Sequence, residues 1–577
     1  MHLSLTKVLT VLACTLLSSA TVPTKTVKRA DSSQFVTTQG KQDIINTFSN
    51  ISALGIKVVR TWVRTFVIRL YLDLKSPNFI KAFNDVTEIP TTGTWFQLIA
   101  NGTTSVNTGA NGLEKLDMII KHAESFGIYV LLTLTNNWSP SATDNLTDSI
   151  DNLKSSVQSR AVVDTFNASR PRNFLSNDYG GMDVYVRQFG LKTHDEFYTN
   201  QTLLNAFMNY TTQIVTRYVE SPSVLAWELA NDARCNSSVA SSPTCTPQTV
   251  TQWHATIAEH IKSIDPNHLV SSGTQGFLCT DCPKLFPRQT SPAQPSARAV
   301  VGRRSIVKPL TKGRIIQERN ERWKKTRALL PRSEQGRGEG IRVRGRWVST
   351  PTRRQSDSQG VGSAFDGSQG VDSEDILGIP QIGFGSFQLF PDQNSYGPDD
   401  PSLSAFNNTL QTGINWITTH GQIAQLFDKP VSLLGFGLVT QTNAPDFVPF
   451  NSTVAPFASD NTTSTTVAKA STTSSAASTD STQTFGVTDS EQDTAYSSWL
   501  AAGISSGVSG LLQYQWSQGN LTAEANTTIS PNDDTTGESS NDDTTGESPN
   551  DGYSIQGVGE DTVQTILQNA VQSVSST

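Results

Sequence analysis

The chain has 577 residues, of which 36% are hydrophobic and 16% charged, and its formal net charge is −7. Its longest uncharged apolar stretch, residues 8–20, is too short to cross a bilayer, and nothing like it follows. These properties exclude a membrane-spanning protein, a coiled coil and a small toxin held by disulfides. The charge is also uneven, because residues 298–354 hold 18 basic and 4 acidic side chains while the remainder is acidic.

The N-terminus has the layout of an export signal. Lys7 precedes the apolar run, and Ser18-Ser19-Ala20 places small residues at a cleavage site. We predict a signal peptide over residues 1–20 and a propeptide over 21–29 that ends at the dibasic pair Lys28-Arg29. Thirteen Asn-X-Ser/Thr sequons favour a secreted, extracellular glycoprotein.

Four cysteines remain once Cys14 leaves with the signal peptide: Cys235, Cys245, Cys279 and Cys282. Four cysteines allow three connectivities, and we expect the local pairs 235–245 and 279–282. The rival interpretation is a zinc site, since residues 279–282 form a Cys-X-X-Cys motif. Only one such motif exists and the other spacing is wrong for zinc, so we predict disulfides and no metal.

Helical and strand-like patterns alternate along the chain. An apolar repeat over residues 113–123 predicts a helix that ends at Gly127, and the run 128–134 predicts a buried strand after it. Seven strand-like runs occur in all: 57–62, 128–134, 224–230, 268–272, 382–389, 431–436 and 508–516. This alternation predicts an α/β fold with a parallel sheet, a (β/α)8 TIM barrel one strand short. No glycine-rich phosphate loop follows a strand, and we predict no cofactor.

Three stretches interrupt the pattern. Residues 287–372 are polar and basic, and we expect them to be disordered or loosely attached. Residues 452–485 are a Ser/Thr-rich tract that predicts a solvated loop. Residues 532–551 contain Asn-Asp-Asp-Thr-Thr-Gly-Glu-Ser twice, which indicates a duplicated acidic loop.

Polar and aromatic side chains stand where the predicted strands end, which is where a parallel barrel places its chemistry. They are Arg60, Trp62, Trp138, Asn231, Asp232, Gln388, Phe390 and Trp516. Aromatic faces stack on pyranose rings, and amides and carboxylates bind hydroxyl groups. The set therefore predicts a sugar-binding mouth, and the alternative for each tryptophan is packing inside the barrel.

Several segments resemble glycoside hydrolase family 5, and within it the fungal endo-β-1,4-mannanases. They include Val-Val-Arg-Thr-Trp (58–62), Asn-Thr-Gly-Ala-Asn-Gly-Leu (107–113), Asp-Tyr-Gly-Gly-Met (178–182), Trp-Glu-Leu-Ala-Asn-Asp (227–232) and Asp-Pro-Asn-His-Leu-Val (265–270). The resemblance implies a retaining glycosidase with two glutamates, an acid/base after the fourth strand and a nucleophile at the end of the seventh. Retention needs carboxyl groups about 5–5.5 Å apart.

The chain departs from the family at both glutamates. Asp232 stands at the acid/base position, one methylene shorter, and Gly435 stands at the nucleophile position, which is then chemically empty. The family's His and Tyr after strand six become Gln388 and Phe390. An inverting mechanism would need a distant carboxylate, for which Asp392, Glu538 and Glu547 are the candidates.

The first barrel strand of the family is missing, since residues 35–40 pass almost directly to the helix before strand two. Residues 63–81 intervene where Trp62 and Ala82 adjoin in the family. Two interpretations stay open for this insert: a β-prone patch for the gap, or a translated intron.

We therefore predict a secreted barrel over residues 30–577, most simply monomeric, that acts on or binds β-1,4-mannan or a related cell-wall polysaccharide. The empty nucleophile position predicts weak or absent hydrolysis. One alternative is a non-catalytic, lectin-like protein. Another is a polyanion binder that acts through residues 298–354, although we expect neither a nucleic acid nor a membrane as partner.

Overall fold

The structure is a computed structural model. It describes residues 38–60, 82–90, 94–140, 168–169, 179–288, 310–329, 341–343, 346–348, 361–452, 454–457, 485–516, 521–522, 545–546, 551–554 and 560–575. The predicted signal peptide, the propeptide, Trp62 and the insert 63–81 lie outside these ranges.

Short strands and longer helices follow one another along the described chain. The strands are β1 (Val58–Arg60), β2 (Asp85–Val86), β3 (Gln97–Ala100), β4 (Thr103–Val106), β5 (Tyr129–Thr133), β6 (Ala168–Ser169), β7 (Val224–Glu228), β8 (Leu269–Ser271), β9 (Ile341–Val343), β10 (Arg346–Val348), β11 (Gly385–Leu389), β12 (Val431–Phe436), β13 (Val454–Ala455), β14 (Gly510–Gln513), β15 (Leu521–Thr522) and β16 (Thr545–Gly546). The helices are α1 (Thr38–Ala53), α2 (Leu113–Ser125), α3 (Met182–Gln188), α4 (Glu196–Thr199), α5 (Gln201–Tyr218), α6 (Pro247–Ile264), α7 (Lys312–Leu329), α8 (Ser373–Leu377), α9 (Ala405–Phe427), α10 (Asp489–Ser506) and α11 (Glu560–Ser575), with a 3-10 turn at Ala444–Asp446.

Seven parallel strands form the barrel. They hydrogen bond in the orders β1-β5-β7-β8 and β11-β12-β14, and a parallel bridge between Ser271 and Phe384 joins the two groups. Each strand lies within one of the seven predicted runs, so the predicted TIM-barrel fold is confirmed. Within the described residues no strand lies between β14 and β1, which is where the sequence predicted the missing first strand.

The core forms where helices bury apolar faces against the strands. In α2 the buried positions include Leu116, Ile119 and Ile120, and the helix ends before Gly127, whose positive φ of 65° favours glycine. The strand after it, β5, is buried along nearly its whole length. None of the described helices is long and apolar enough to cross a membrane.

The basic segment contains more structure than the sequence predicted. Its helix α7 rests on the barrel, where Arg314 donates to Gln422 of α9 at 3.0 Å and Ile315 packs against the core. Residues 361–372 belong to the folded body, since Phe365 and Val371 are buried there. The expected loose attachment therefore does not extend to these two parts, because both bury apolar side chains.

The structure joins Cys235 to Cys245 and Cys279 to Cys282. The first disulfide closes the loop after β7, and the second closes the loop after β8. Both loops stand at the C-terminal ends of their strands, which is the end of the barrel that carries the candidate site.

Candidate functional site

Arg60 at the end of β1 and Glu228 at the end of β7 form a buried ion pair inside the barrel. Arg60 donates to both carboxylate oxygens, from Nε at 2.7 Å and from Nη2 at 2.5 Å, and it also donates to Asn231 Oδ1 at 3.0 Å. Thr133 donates to Glu228 at 3.1 Å, and Gln388 donates to Asn231 at 2.9 Å. These hydrogen bonds offset the cost of burying the two charges. Removal of one partner would leave the other charge buried and unpaired.

Asp232, at the predicted acid/base position, is fully buried and held at one oxygen. Its Oδ2 accepts from Trp138 Nε1 at 2.7 Å and from Arg234 Nη2 at 2.5 Å. Burial raises the pKa of the Asp232 carboxyl, while the Arg234 charge, the hydrogen bonds from Arg234 and Trp138, and the Gln275 amide oppose the rise. The backbone of Asp232 has a positive φ of 60°, a conformation that aspartate tolerates better than most residues.

Two aromatic rings and a hydrogen bond hold the Arg234 side chain in place. Its guanidinium lies between the rings of Trp138 and Phe277, 5.1 and 5.0 Å from their centroids, and its Nη1 donates to Gln369 Oε1 at 2.7 Å. Gln369 belongs to residues 361–372, which the sequence assigned to the insert. Asp232 therefore has a counter-ion that other residues hold in place.

Gly435, at the predicted nucleophile position, lies buried in β12 opposite an aromatic ring. A Cβ added there would lie 3.1 Å from Phe390 Cζ and 4.0 Å from Tyr514 Cβ. Arg60 reaches the same point, because its Nη1 donates to the carbonyl of Leu434 at 3.4 Å. The ring of Phe390 thus closes the space into which a longer side chain at position 435 would extend.

Phe390 belongs to an aromatic cluster that we define by four residues: Phe390, Phe450, Tyr514 and Tyr553. The ring of Phe390 packs edge-on against the other three, with centroids 5.1 to 5.3 Å away. Its backbone N–H donates to Tyr396 Oη at 2.9 Å. This side of the mouth is apolar and close-packed.

Among the predicted site residues, Gln388 Oε1 and Trp516 Nε1 are buried and make no hydrogen bond within the described residues. The first accepts and the second donates. Buried polar groups are normally paired, so such atoms indicate partners that a bound molecule would supply. A sugar hydroxyl can both donate and accept, which suits this mixture.

The alternative carboxylates predicted from the sequence include one described residue, Asp392. Asp392 accepts from the Val439 N–H at 3.0 Å, and burial raises its pKa to about 7. Glu538 and Glu547 lie outside the described residues. A carboxylate that the sequence did not suggest, Asp551, is buried and accepts from the Tyr514 hydroxyl at 2.5 Å.

The predicted site residues therefore fall into two groups. Arg60, Asn231 and Gln388 share one hydrogen-bond network, and Asp232 and Trp138 share another. Sequence reasoning gave no role to Glu228, Gln369 or Tyr396. Glu228 had a detectable signal, an acidic residue inside an apolar buried strand. Among the described residues no group of His, Cys, Asp or Glu side chains could hold a metal ion.

Comparison with known proteins identifies a family that part of the chain matches. Residues 107–294 match the model of a family described as GH family 5 beta-mannosidase-like. The resemblance to glycoside hydrolase family 5 is confirmed. The matched segment contains Asn231 and Asp232 and ends before Gly435, so the family 5 match does not reach the predicted nucleophile position.

Related sequences come from fungi. The chain is 32% identical over 252 residues to mannan endo-1,4-beta-mannosidase F of Aspergillus fumigatus. This alignment covers 43% of this chain and 43% of that protein. It is 31% identical over 255 residues to mannan endo-1,4-beta-mannosidase A of Aspergillus aculeatus. This second alignment covers 44% of this chain and 50% of that protein. The chain thus spans half or less of the length of these relatives.

The structure also aligns with the endo-1,4-beta-mannanase of Rhizomucor miehei. The alignment has 20% sequence identity and a TM-score of 0.49, and it covers 93% of this chain and 91% of that one.

Proposed function

We propose that this protein is a secreted, family 5-like barrel that binds β-1,4-mannan or a related neutral cell-wall polysaccharide and hydrolyses it weakly or not at all. The observation that carries the proposal is Gly435 packed against Phe390, where a retaining glycosidase needs a carboxylate. The named functions of the fungal relatives support mannan as the substrate class.

The charges at the barrel mouth favour a neutral ligand. The two cations, Arg60 and Arg234, are each paired with a carboxylate at 2.5 Å. An anionic polysaccharide would have to compete with Glu228 or Asp232 for these guanidinium groups. Neutral hydroxyl groups can instead use the unpaired acceptor of Gln388 and the unpaired donor of Trp516.

Hydrolysis by two displacements requires one carboxyl that attacks and one that donates a proton. Gly435 has no group that can attack. Asp232 Oδ2 is occupied by hydrogen bonds from Arg234 and Trp138, so this oxygen is held by the protein. Binding without cleavage follows from both features together.

Two measurements on the full chain, secreted from a yeast host, test the proposal. Affinity electrophoresis in mannan should retard the protein, whereas polygalacturonate should not. A reducing-end assay on the same mannan should detect no products above a blank.

Trp516→Ala should abolish the retardation, whereas Gln411→Ala, on the exposed face of α9, should preserve it. Rapid release of reducing ends would refute the claim of lost hydrolysis. Absence of any retardation would refute mannan binding.

A further inference from the structure

Two of the Asn-X-Ser/Thr sequons in the sequence meet at the loop that carries Arg234. Asn137-Trp138-Ser139 follows β5, and Asn236-Ser237-Ser238 lies in the loop after β7. A hydrogen bond joins the two, because Asn137 Nδ2 donates to the backbone carbonyl of Asn236 at 2.8 Å. The same motif thus occurs twice at one place in the fold, and the surroundings of the two asparagines can be compared directly.

The first sequon is enclosed by the protein. Asn137 is fully buried, and both ends of its amide are used: Nδ2 donates to Asn236, and Oδ1 accepts from the Arg234 N–H at 3.2 Å. Its neighbour Trp138 is also buried and donates to Asp232 Oδ2 at 2.7 Å. An oligosaccharide on Asn137 Nδ2 would have to fit inside this close-packed interior, which has no room for it.

The second sequon is open to solvent. Asn236 is exposed, although the backbone on both sides of it is held. The Cys235 N–H donates to the Gly370 carbonyl at 3.2 Å, and the Ser237 hydroxyl donates to the Asn137 carbonyl at 2.8 Å. A sugar chain attached to Asn236 would therefore extend into solvent and leave these contacts in place.

We propose that the secreted protein carries an N-linked oligosaccharide on Asn236 and none on Asn137. In this transfer Asn236 Nδ2 forms a bond to C1 of the first sugar of a lipid-linked oligosaccharide, and the bond from C1 to the lipid pyrophosphate breaks. The amide nitrogen gives up one proton, and the lipid pyrophosphate leaves with the bonding electron pair. The inference rests on the secreted location in the proposed function and is independent of mannan binding.

The fold decides between the two sequons because the transfer takes place before folding is complete. A chain modified on Asn137 cannot bury that residue, so it is absent from the folded, secreted fraction. A chain modified on Asn236 folds normally. Asn236 stands two residues after Arg234, which holds Asp232, so the oligosaccharide lies on the loop that supports the candidate site.

Peptide mapping of the full chain, secreted from yeast through a host leader sequence, tests both halves of the inference. Peptide N-glycosidase in 18O-water converts a glycosylated asparagine to labelled aspartate and leaves a bare asparagine unchanged. In the folded, secreted fraction Asn236 should gain the label and Asn137 should not. An unlabelled Asn236 or a labelled Asn137 overturns the inference.

A matched pair of variants confirms the position in the intact protein. Ser238→Ala removes the second sequon and should lower the intact mass by one oligosaccharide, whereas Ser238→Thr keeps the sequon and should keep the mass. The Ser238 hydroxyl is buried and makes no hydrogen bond within the described residues, so its removal should leave the loop in place. An unchanged mass in Ser238→Ala overturns the assignment to Asn236.

Affinity electrophoresis in mannan on the same samples separates this inference from the proposed function. A chain that carries the label on Asn236 but is not retarded by mannan supports the glycosylation site and refutes mannan binding. A chain that is retarded but has no label on Asn236 supports mannan binding and refutes the glycosylation site.

Discussion

The two halves of the barrel mouth are built on different principles. Around β1, β5 and β7, ion pairs and amides fill the interior, with Arg60 on Glu228 and Arg234 on Asp232. Around β11, β12 and β14, the aromatic cluster closes over Gly435. The polar half holds its buried charges in pairs, whereas the aromatic half has no carboxylate at position 435. Under the proposed function, recognition of a sugar would depend on the polar half and its cleavage on the aromatic half.

The largest expected effect comes from breaking the polar half. Arg60→Ala should lower the free energy of unfolding by about 3–5 kcal/mol, because Glu228 then remains buried and charged without its partner. Urea denaturation of the purified chain measures this.

The matched control is Arg217→Ala. Arg217 pairs with Asp117 at 2.6 Å, and the two side chains are 21% and 28% exposed, respectively. It should cost about 0–1 kcal/mol. Equal costs for the two variants would contradict the view that the polar half depends on its buried pair.

The aromatic half should resist an added side chain. Gly435→Ala should cost about 1–3 kcal/mol through overpacking, and less in a Phe390→Leu background. Gly435→Glu alone should stay inactive on mannan, since Phe390 closes the space that the glutamate needs. Thermal unfolding and a reducing-end assay report the two effects.

Gly313→Ala serves as the control, because a Cβ there meets nothing within 4 Å. This helical substitution should be neutral or stabilise by about 0.5–1 kcal/mol. If Gly435→Ala behaves in the same way, Phe390 does not fill the position.

Asp392, beside the aromatic half, should make stability depend on pH. Its folded-state pKa of about 7 exceeds the usual value near 3.9, so the folded state binds the extra proton. This contribution is present below about pH 4 and is lost as pH rises to about 7. Asp392→Asn should raise the melting temperature at pH 7 by a few degrees and leave it unchanged at pH 4. If the melting temperatures of the variant and the original chain differ by the same amount at pH 4 and at pH 7, the shifted pKa is contradicted.

The smallest expected change in stability concerns α10, whose Tyr496 packs against Phe436 of β12. Thr488 and Glu491 form a capping box at its N-terminus. Thr488→Ala should cost about 1 kcal/mol of unfolding free energy. Thr494→Ala, at an exposed position inside the same helix, should change it by less than about 0.5 kcal/mol. Similar values for both would show that the cap is not required.

The sequence predicted the barrel well because its strands are apolar runs with clear periodicity. It also predicted that Arg60, Asn231 and Asp232 lie at one end of the sheet, since parallel strands place their last residues together. It could not predict that Arg60 binds Glu228 or that Phe390 covers Gly435, because these contacts depend on side-chain distances across the barrel.

Two further residues were missed because their segments look like loops. Gln369 lies within the basic insert over residues 287–372, and Asp551 ends the acidic repeat, so composition assigned both to solvent. Their partners, Arg234 and Tyr514, lie 135 and 37 residues away in the chain. Contacts of this kind have no periodic signal in a single sequence.

The stacked rings of Phe457 and Phe485, with centroids 4.2 Å apart, bring together the two ends of the Ser/Thr-rich tract. Phe457 and Phe485 are therefore adjacent in space at the points where the described chain stops and resumes. Each doubling of a loop's length costs only about 0.6 kcal/mol of closure entropy. A fluorescent reporter inserted between these two points should therefore leave the barrel end that carries the candidate site undisturbed.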